Sequence, residues 1–102
     1  NGTERAFTGE YDKHFERGSY HCADCDKLLF SSESKFNSGC GWPAFSEEDQ
    51  DANITQLKDT SHGMIRIEVR CSECDSHLGH LFHEPRGPRY CINSICLEFK
   101  GD

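Results

Sequence analysis

The chain has 102 residues, of which 11 are basic and 18 acidic, giving a formal net charge of −7. This charge disfavours a nucleic-acid-binding role, because phosphate recognition requires clustered lysine and arginine. No stretch is as long and apolar as a membrane span, so we expect no membrane partner. The length predicts a single domain, residues 1–102, in which an added crosslink would help a core of limited size.

Two similar segments, one near each end of the chain, each predict a strand, a tight turn and a second strand. Cys22 and Cys25 form a Cys-x-x-Cys pair in the first turn, and Cys71 and Cys74 form one in the second. Four thiolates in two close pairs are the ligand set of a tetrahedral structural Zn²⁺. Redox-active pairs are the alternative, but they usually open a helix in a βαβ unit. The sequence therefore predicts Zn²⁺ as a structural cofactor with no open position for catalysis.

Between these segments lies a glycine-flanked thiol, Cys40, in Ser-Gly-Cys-Gly-Trp-Pro. The glycines predict a flexible loop that suits a resolving cysteine, which must swing several ångströms to reach a second sulfur. An incidental exposed cysteine is the alternative. Trp42 is either part of the core or the wall of a pocket for a small apolar group. The acidic stretch 46–61 predicts a surface loop or short helix.

Apolar residues at alternate positions from Ile65 to Val69 predict a half-buried strand, and the same pattern from Ile95 to Phe99 predicts a terminal strand. Few stretches have a helical period, so the predicted fold class is mainly β. His77 and His80 follow the second cysteine pair. Because four thiolates already fill the metal site, these histidines are candidates for acid–base chemistry or for binding a polar substrate. Surface or supporting histidines are the alternative.

Cys91 lies in a predicted strand, where Arg89 could lower its thiol pKa and make it a nucleophile. Asn93 would lie on the same face of that strand. The alternative is a small buried apolar cysteine. Cys96 is predicted on the terminal strand, on the face opposite Cys91. The spacing and odd number of the seven cysteines favour a metal site plus free thiols, hence a reducing compartment. We expect a cytoplasmic monomer. Location in an organelle, after removal of an upstream targeting segment, is the alternative.

Together these motifs resemble the methionine-R-sulfoxide reductases, the B-type methionine sulfoxide reductase family. The resemblance extends from about residue 20 to residue 99. It rests on five motifs in this order: Cys22-x-x-Cys25, Ser38-Gly-Cys-Gly-Trp-Pro-Ala-Phe45, Cys71-x-x-Cys74, Ser76-His-Leu-Gly-His-Leu-Phe82 and Arg89-Tyr-Cys-Ile-Asn-Ser94.

The resemblance implies a zinc-stapled pair of antiparallel sheets, often called a β-tent. It implies reduction of methionine-R-sulfoxide, protein-bound or free, by a Cys91 thiolate that becomes a sulfenic acid. Cys40 would then form a Cys40–Cys91 disulfide, which thioredoxin would reduce. Trp42 would hold the substrate methyl group and Phe82 its stem. His77, His80 and Asn93 would bind the sulfoxide oxygen, directly or through water, and one histidine would help to protonate it. Arg89 would correspond to the family's arginine beside the nucleophile.

The chain departs from the family pattern in two places. The loop between Phe82 and Cys91 is about three residues shorter, and Cys96 replaces what is usually a small residue. Two other functions stay open on the sequence alone. One is a non-catalytic binding module of the β-tent kind, as in cereblon and Yippee proteins, which has no need of Cys40 and Cys91 together. The other is a general disulfide or peroxide reductase that uses the same two thiols.

Overall fold

The structure is a computed structural model that describes residues 5–11, 14–49, 52–60, 63 and 65–101. Within these ranges the regular structure consists of β-strands and short 3-10 turns, which confirms the predicted mainly β class with little helix. The strands are β1 (Gly18–Cys22), β2 (Leu28–Ser31), β3 (Lys35–Phe36), β4 (Ala44–Phe45), β5 (Ile54–Asp59), β6 (Arg66–Cys71), β7 (His77–Glu84), β8 (Gly87–Ile92) and β9 (Leu97–Gly101). The described part of the chain contains no helix with the length and hydrophobicity needed to span a membrane.

The strands form two antiparallel sheets, as predicted. The smaller sheet has the order β2-β1-β9, and the larger has the order β3-β4-β8-β7-β6-β5. Buried side chains of both sheets form one apolar cluster, in which Phe30 of the smaller sheet stacks on Phe45 of the larger at 4.2 Å between ring centroids. Tyr20, Leu78 and Ile92 are also fully buried in this cluster. The core therefore holds the two sheets together.

Strand β6 explains how the larger sheet carries both a core and a site. Val69 is fully buried in the core cluster, while Arg66, Glu68 and Arg70 at alternate positions make ion pairs. The predicted half-buried strand is therefore confirmed from Arg66 onward, because successive side chains of a strand point to opposite faces. Ile65 lies before the strand and is 75% exposed. The polar side chains do not simply face solvent. Glu68 contacts His77 of β7, and Arg66 contacts Asp59 of β5, as described below.

Two predictions about local structure were wrong. The stretch 46–61 was expected to be a loop or short helix, but Ile54–Asp59 pairs with β6 as an edge strand, an arrangement that its few apolar residues did not signal. The terminal alternation begins later than predicted: Ile95 and Cys96 lie in a 3-10 turn before β9, and Ile95 is 79% exposed. Cys96 therefore does not lie on either face of β9, contrary to the prediction. Its Sγ donates a hydrogen bond to the backbone carbonyl of His77 at 3.1 Å.

Candidate active site and metal centre

The two Cys-x-x-Cys turns meet where the β1–β2 connection of one sheet faces the β6–β7 connection of the other. The Sγ atoms of Cys22 and Cys74 are 3.6 Å apart, and those of Cys25 and Cys71 are 3.5 Å apart. All four sulfurs lie within 4.8 Å of one another. A tetrahedral site with metal–sulfur bonds of about 2.3 Å requires sulfurs about 3.8 Å apart. These four cysteines could therefore hold one metal ion.

The two turns share their backbone conformation. Asp26 and Asp75, each directly after the second cysteine of a pair, have positive φ angles of 67° and 62°. Their N–H groups donate to the carbonyls of Cys22 and Cys71 at 2.8 and 2.7 Å. Aspartate tolerates the left-handed conformation better than most residues. These hydrogen bonds close each turn tightly enough to bring both of its sulfurs to one side.

The electrostatics of the second turn also favour a metal ligand. Hydrogen bonding with the side chain and backbone of Ser76 lowers the pKa of the Cys74 thiol to about 7. A thiolate is the form that binds a metal ion. The four-sulfur donor set, the closed turns and the distances are all consistent with a structural metal site rather than with two redox pairs.

A small cavity opens on the polar face of the larger sheet, away from the metal cysteines. Its volume of about 80 Å³ has room for a few water-sized groups, which suits the end of one side chain. The predicted pocket residues Trp42 and Phe82 form apolar walls, and Trp42 is only half-buried, so it is not a core residue. The full lining consists of Trp42, Arg66, Gly79, His80, Phe82, Cys91 and Asn93.

Cys91 lies at the bottom of this cavity, because β8 runs through the middle of the larger sheet. Only 8% of this residue is exposed. The neighbouring strand β7 carries Gly79, where an added Cβ would overlap the backbone carbonyl of Cys91. Asn93, directly after β8, is buried and donates its Nδ2 to the carbonyl of Leu78 at 3.1 Å. Close packing of backbone against backbone thus holds the thiol in one place.

The second thiol of the site already lies against the first. Cys40 precedes β4, whose Ala44 pairs with Cys91 in the sheet, and the two Sγ atoms are 3.0 Å apart. The expected swing of several ångströms is therefore wrong for this structure, in which the sulfurs need to approach by only about 1 Å to reach disulfide bonding distance. The pairing of β4 with β8 brings together two residues that are distant in sequence.

The two thiols form one hydrogen bond, in which either sulfur can be the donor. This contact lowers the pKa of the Cys40 thiol to about 5, despite burial. The same hydrogen bond, together with burial, raises the pKa of the Cys91 thiol. The predicted partner Arg89 acts in the opposite direction, since its Nη1 lies 3.2 Å from the Cys91 sulfur. The hydrogen bond between the two thiols thus favours one negative charge on the pair, next to the positively charged Arg89.

Arg89 is itself fixed by its neighbours on the β7–β8 hairpin. Its Nε and Nη2 donate to the two carboxylate oxygens of Glu84, at 2.8 and 3.4 Å. Its guanidinium carbon lies 4.6 Å from the centre of the Phe82 ring. A bidentate ion pair and an aromatic contact leave Nη1 directed at the thiol, and Arg89 therefore stabilises negative charge where a nucleophile needs it.

The two predicted histidines lie at different depths. His80 lines the cavity, whereas His77 lies beside it, with 5.7 Å between the ring centroids. Each histidine contacts a carboxylate. His80 Nε2 is 2.9 Å from Asp59 Oδ2, and His77 Nδ1 is 2.7 Å from Glu68 Oε2.

Sequence reasoning missed Asp59, Glu68 and Arg66 as members of the site. The alternation of charged and apolar residues in β6 was the available signal, because two strands that share a face bring their polar residues together. Nothing in the sequence indicated that Asp59 belongs to a strand.

Comparison with known proteins agrees with this geometry. A family model described as the SelR domain matches residues 1–101. The chain is 56% identical over 102 residues to the peptide methionine sulfoxide reductase MsrB of Pseudomonas putida (strain W619), covering 97% of this chain and 77% of that protein. It is also 56% identical over 104 residues to the probable methionine-R-sulfoxide reductase B of Caenorhabditis elegans, covering 97% of this chain and 68% of that protein.

Proposed function

The chain belongs to the SelR domain family and is an oxidoreductase acting on methionine sulfoxide, and on that premise we propose that it reduces the R epimer to methionine through Cys91 and Cys40. The observation that carries this proposal is the pair of sulfurs 3.0 Å apart, one of which lines the cavity. A cavity used only for binding has no need of two adjacent thiols. Such a pair supplies the two electrons that sulfoxide reduction requires.

In the proposed complex, the cavity takes the methyl sulfoxide end of the substrate. Trp42 contacts the methyl group and Phe82 the apolar stem, because both rings line the cavity. His80 supplies a polar group for the sulfoxide oxygen. Asn93 holds the end of β8 in place through Leu78, and His77 supports the His80 ring from the side. Trp42 and Phe82 therefore form the apolar walls of the cavity, and His80 provides its polar group.

The proposed first step transfers oxygen from the substrate to the enzyme. The Cys91 proton first passes to Cys40 across the 3.0 Å contact. The resulting Cys91 thiolate, stabilised by Arg89, attacks the sulfoxide sulfur and forms a sulfur–sulfur bond, while His80 donates a proton to the oxygen. The hydroxyl then moves to the Cys91 sulfur: an S–O bond forms on Cys91, the S–O bond of the substrate and the sulfur–sulfur bond break, methionine leaves, and Cys91 becomes a sulfenic acid. The substrate sulfur gains two electrons, and the sulfur of Cys91 loses two.

In the proposed second step, Cys40 attacks the sulfur of the Cys91 sulfenic acid. A disulfide forms and the hydroxyl leaves with a proton as water. Because the sulfurs are already adjacent, this step needs little movement of the loop. A dithiol reductant of the thioredoxin class then restores both thiols by exchange. This chemistry fits a monomer in a reducing compartment such as the cytoplasm.

We also propose that the metal is Zn²⁺ bound by Cys22, Cys25, Cys71 and Cys74, whose sulfur distances fit a tetrahedral ion. Zinc would supply a crosslink between the two sheets and no catalytic group, since four thiolates leave no open position. The site thus has a structural role in the proposed function.

The proposal is tested with a blocked methionine sulfoxide offered as separated R and S epimers, with dithiothreitol as reductant and chromatography as readout. We expect loss of the R epimer alone, with an equal amount of methionine formed. The S epimer is the matched control, and hydrogen peroxide as the only oxidant tests for a general thiol peroxidase. Survival of both epimers, with the protein folded and metal bound, would contradict the proposal and favour a binding module.

A further inference from the structure

Two chains of polar contacts run along the polar face of the larger sheet, and each ends at a histidine. In the first, Asp59 Oδ2 contacts Arg66 Nη2 at 3.3 Å and His80 Nε2 at 2.9 Å. In the second, Glu68 Oε2 contacts Arg70 Nε at 3.0 Å and His77 Nδ1 at 2.7 Å. The arrangement repeats because strands β5, β6 and β7 place arginine, carboxylate and histidine at neighbouring positions.

The two carboxylates hold their histidines through different ring nitrogens. An ionised carboxylate only accepts hydrogen bonds, so the contacting nitrogen carries the proton. His80 is therefore held as the Nε2–H form, which leaves Nδ1 for another partner. His77 is held as the Nδ1–H form, and its buried Nε2 has no hydrogen-bond partner among the described residues. The two histidines therefore differ in tautomer as well as in depth.

Their positions relative to the cavity also differ. His80 lines the cavity together with Arg66 and Cys91, whereas His77 and Glu68 are not part of the lining. Asp59 ends the edge strand β5 and is half-buried, with 19% of its side chain exposed. A partly shielded carboxylate interacts more strongly with an imidazole than a fully exposed one does. Of the two chains of polar contacts, only the one through Asp59 and His80 thus reaches the place where substrate would bind.

We propose that Asp59 is a positioning residue of the reaction: held by Arg66, it keeps His80 with Nδ1 as the nitrogen available to the sulfoxide oxygen. The inference rests on the proposed function of this site. Asp59 touches neither substrate nor sulfur, and it acts through His80. Glu68 performs the same task for His77 but supports the neighbouring ring rather than the substrate.

A charged Asp59 also stabilises the protonated imidazole, which is the form that donates a proton. Other groups face His80 from the packed strands, and they stay in place when Asp59 is changed. They are Arg66 and Glu68 on β6, His77 on β7, and Cys91 with its partners Cys40 and Arg89. Asp59→Asn therefore removes the carboxylate that contacts His80 Nε2 and leaves these other groups unchanged.

The test uses the zinc-loaded protein in a rapid-mixing measurement of the first turnover, across a range of pH. We expect Asp59→Asn to slow this turnover by about 10- to 100-fold, as is usual for a residue that orients a catalytic ligand or base. The matched variant Glu68→Gln should cause a smaller loss. Unfolding temperature and metal content establish that each variant is folded.

A double variant separates positioning from general support of the fold. If Asp59 acts through His80, adding Asp59→Asn to His80→Asn should cause little further loss. The proposal is overturned if Asp59→Asn reacts as fast as wild type, or if its full effect persists without His80. Failure of the wild-type protein to reduce either epimer is a different result, which removes the proposed function itself.

Wild-type protein provides a test that needs no variant. Nitrogen-15 spectra of histidine-labelled protein distinguish the two imidazole tautomers. We expect His80 as the Nε2–H form and His77 as the Nδ1–H form at a pH where both are neutral. The same tautomer in both rings would contradict the proposal, even if the Asp59 variant failed to fold.

Discussion

The molecule places its thiols in two settings that differ in how they are assembled. The metal centre is built from two local turns, each of which brings its own two sulfurs together within four residues of chain. The redox pair is built from one loop and one strand, and its members are 51 residues apart. Local hydrogen bonds position the two sulfurs of each turn, whereas the contacts between the turns and the redox pair both depend on how the strands and sheets pack.

The two settings also differ in how they treat charge. The sulfurs of the metal centre are 3.5 to 3.6 Å apart in each close contact, which leaves room for an ion between them. The sulfurs of Cys40 and Cys91 are 3.0 Å apart, and the Arg89 guanidinium next to Cys91 stabilises a negative charge on this pair. In the proposed function, a bound metal would neutralise the four thiolates of the first arrangement. The second would keep one thiolate ready for reaction, so the same residue type would serve stability in one place and chemistry in the other.

The largest effect is expected where the chemistry begins. Cys91→Ser should abolish turnover, because a serine hydroxyl at neutral pH is a far weaker nucleophile and cannot form the disulfide. Steady-state reduction of methionine-R-sulfoxide with dithiothreitol measures this. Cys96→Ser is the matched control, since Cys96 lies outside both settings, and it should retain activity. Full activity of Cys91→Ser would exclude the proposed nucleophile.

Replacing a metal ligand should have the opposite effect: it should destabilise the fold rather than remove a reacting group. Structural zinc contributes an apparent binding free energy of about 10–16 kcal/mol at pH 7. The net stability of a small domain is only about 5–15 kcal/mol. Cys71→Ser should therefore lower the unfolding temperature sharply and reduce the metal content, as measured by thermal denaturation and metal analysis. Cys40→Ser, at a half-buried position, should leave both nearly unchanged; equal losses in the two variants would contradict the comparison.

A smaller effect is expected within the redox pair itself. Cys40 and burial raise the pKa of the Cys91 thiol, so Cys40→Ala should lower that pKa and leave Arg89 as its main partner. The midpoint of Cys91 alkylation by iodoacetamide, followed by peptide mass spectrometry, should move to lower pH. Arg89→Gln should move it to higher pH. A higher midpoint in Cys40→Ala would show that the two thiols do not share a proton as described.

The sequence predicted the fold class well, and it predicted the grouping of the four cysteines that could hold a metal ion, because both depend on local spacing. Two Cys-x-x-Cys pairs identify a metal site without any structure, and the alternation around Val69 identifies a strand with a buried face. The pairing of Cys40 with Cys91 came only from resemblance to a family. Glycines around Cys40 suggested a mobile loop, whereas the pairing of β4 with β8 holds it in contact.

The missed residues share a physical cause. Asp59 and Glu68 are ordinary charged residues in strands, and their role depends on which strand lies beside them. Sheet order cannot be read from composition, so the acidic stretch that contains Asp59 resembled a surface loop. His77 and His80 were identified as candidates, but their difference in depth arises from the cavity that β7 and β8 form together.

The most direct test of the account is to mix reduced, metal-loaded protein with one equivalent of methionine-R-sulfoxide and no other reductant, and to map disulfides by mass spectrometry. The account predicts one equivalent of methionine, a single Cys40–Cys91 disulfide, and retention of the metal by the other four cysteines. A disulfide that involves Cys22, Cys25, Cys71 or Cys74, with loss of metal, would show that the two thiol settings are not separate.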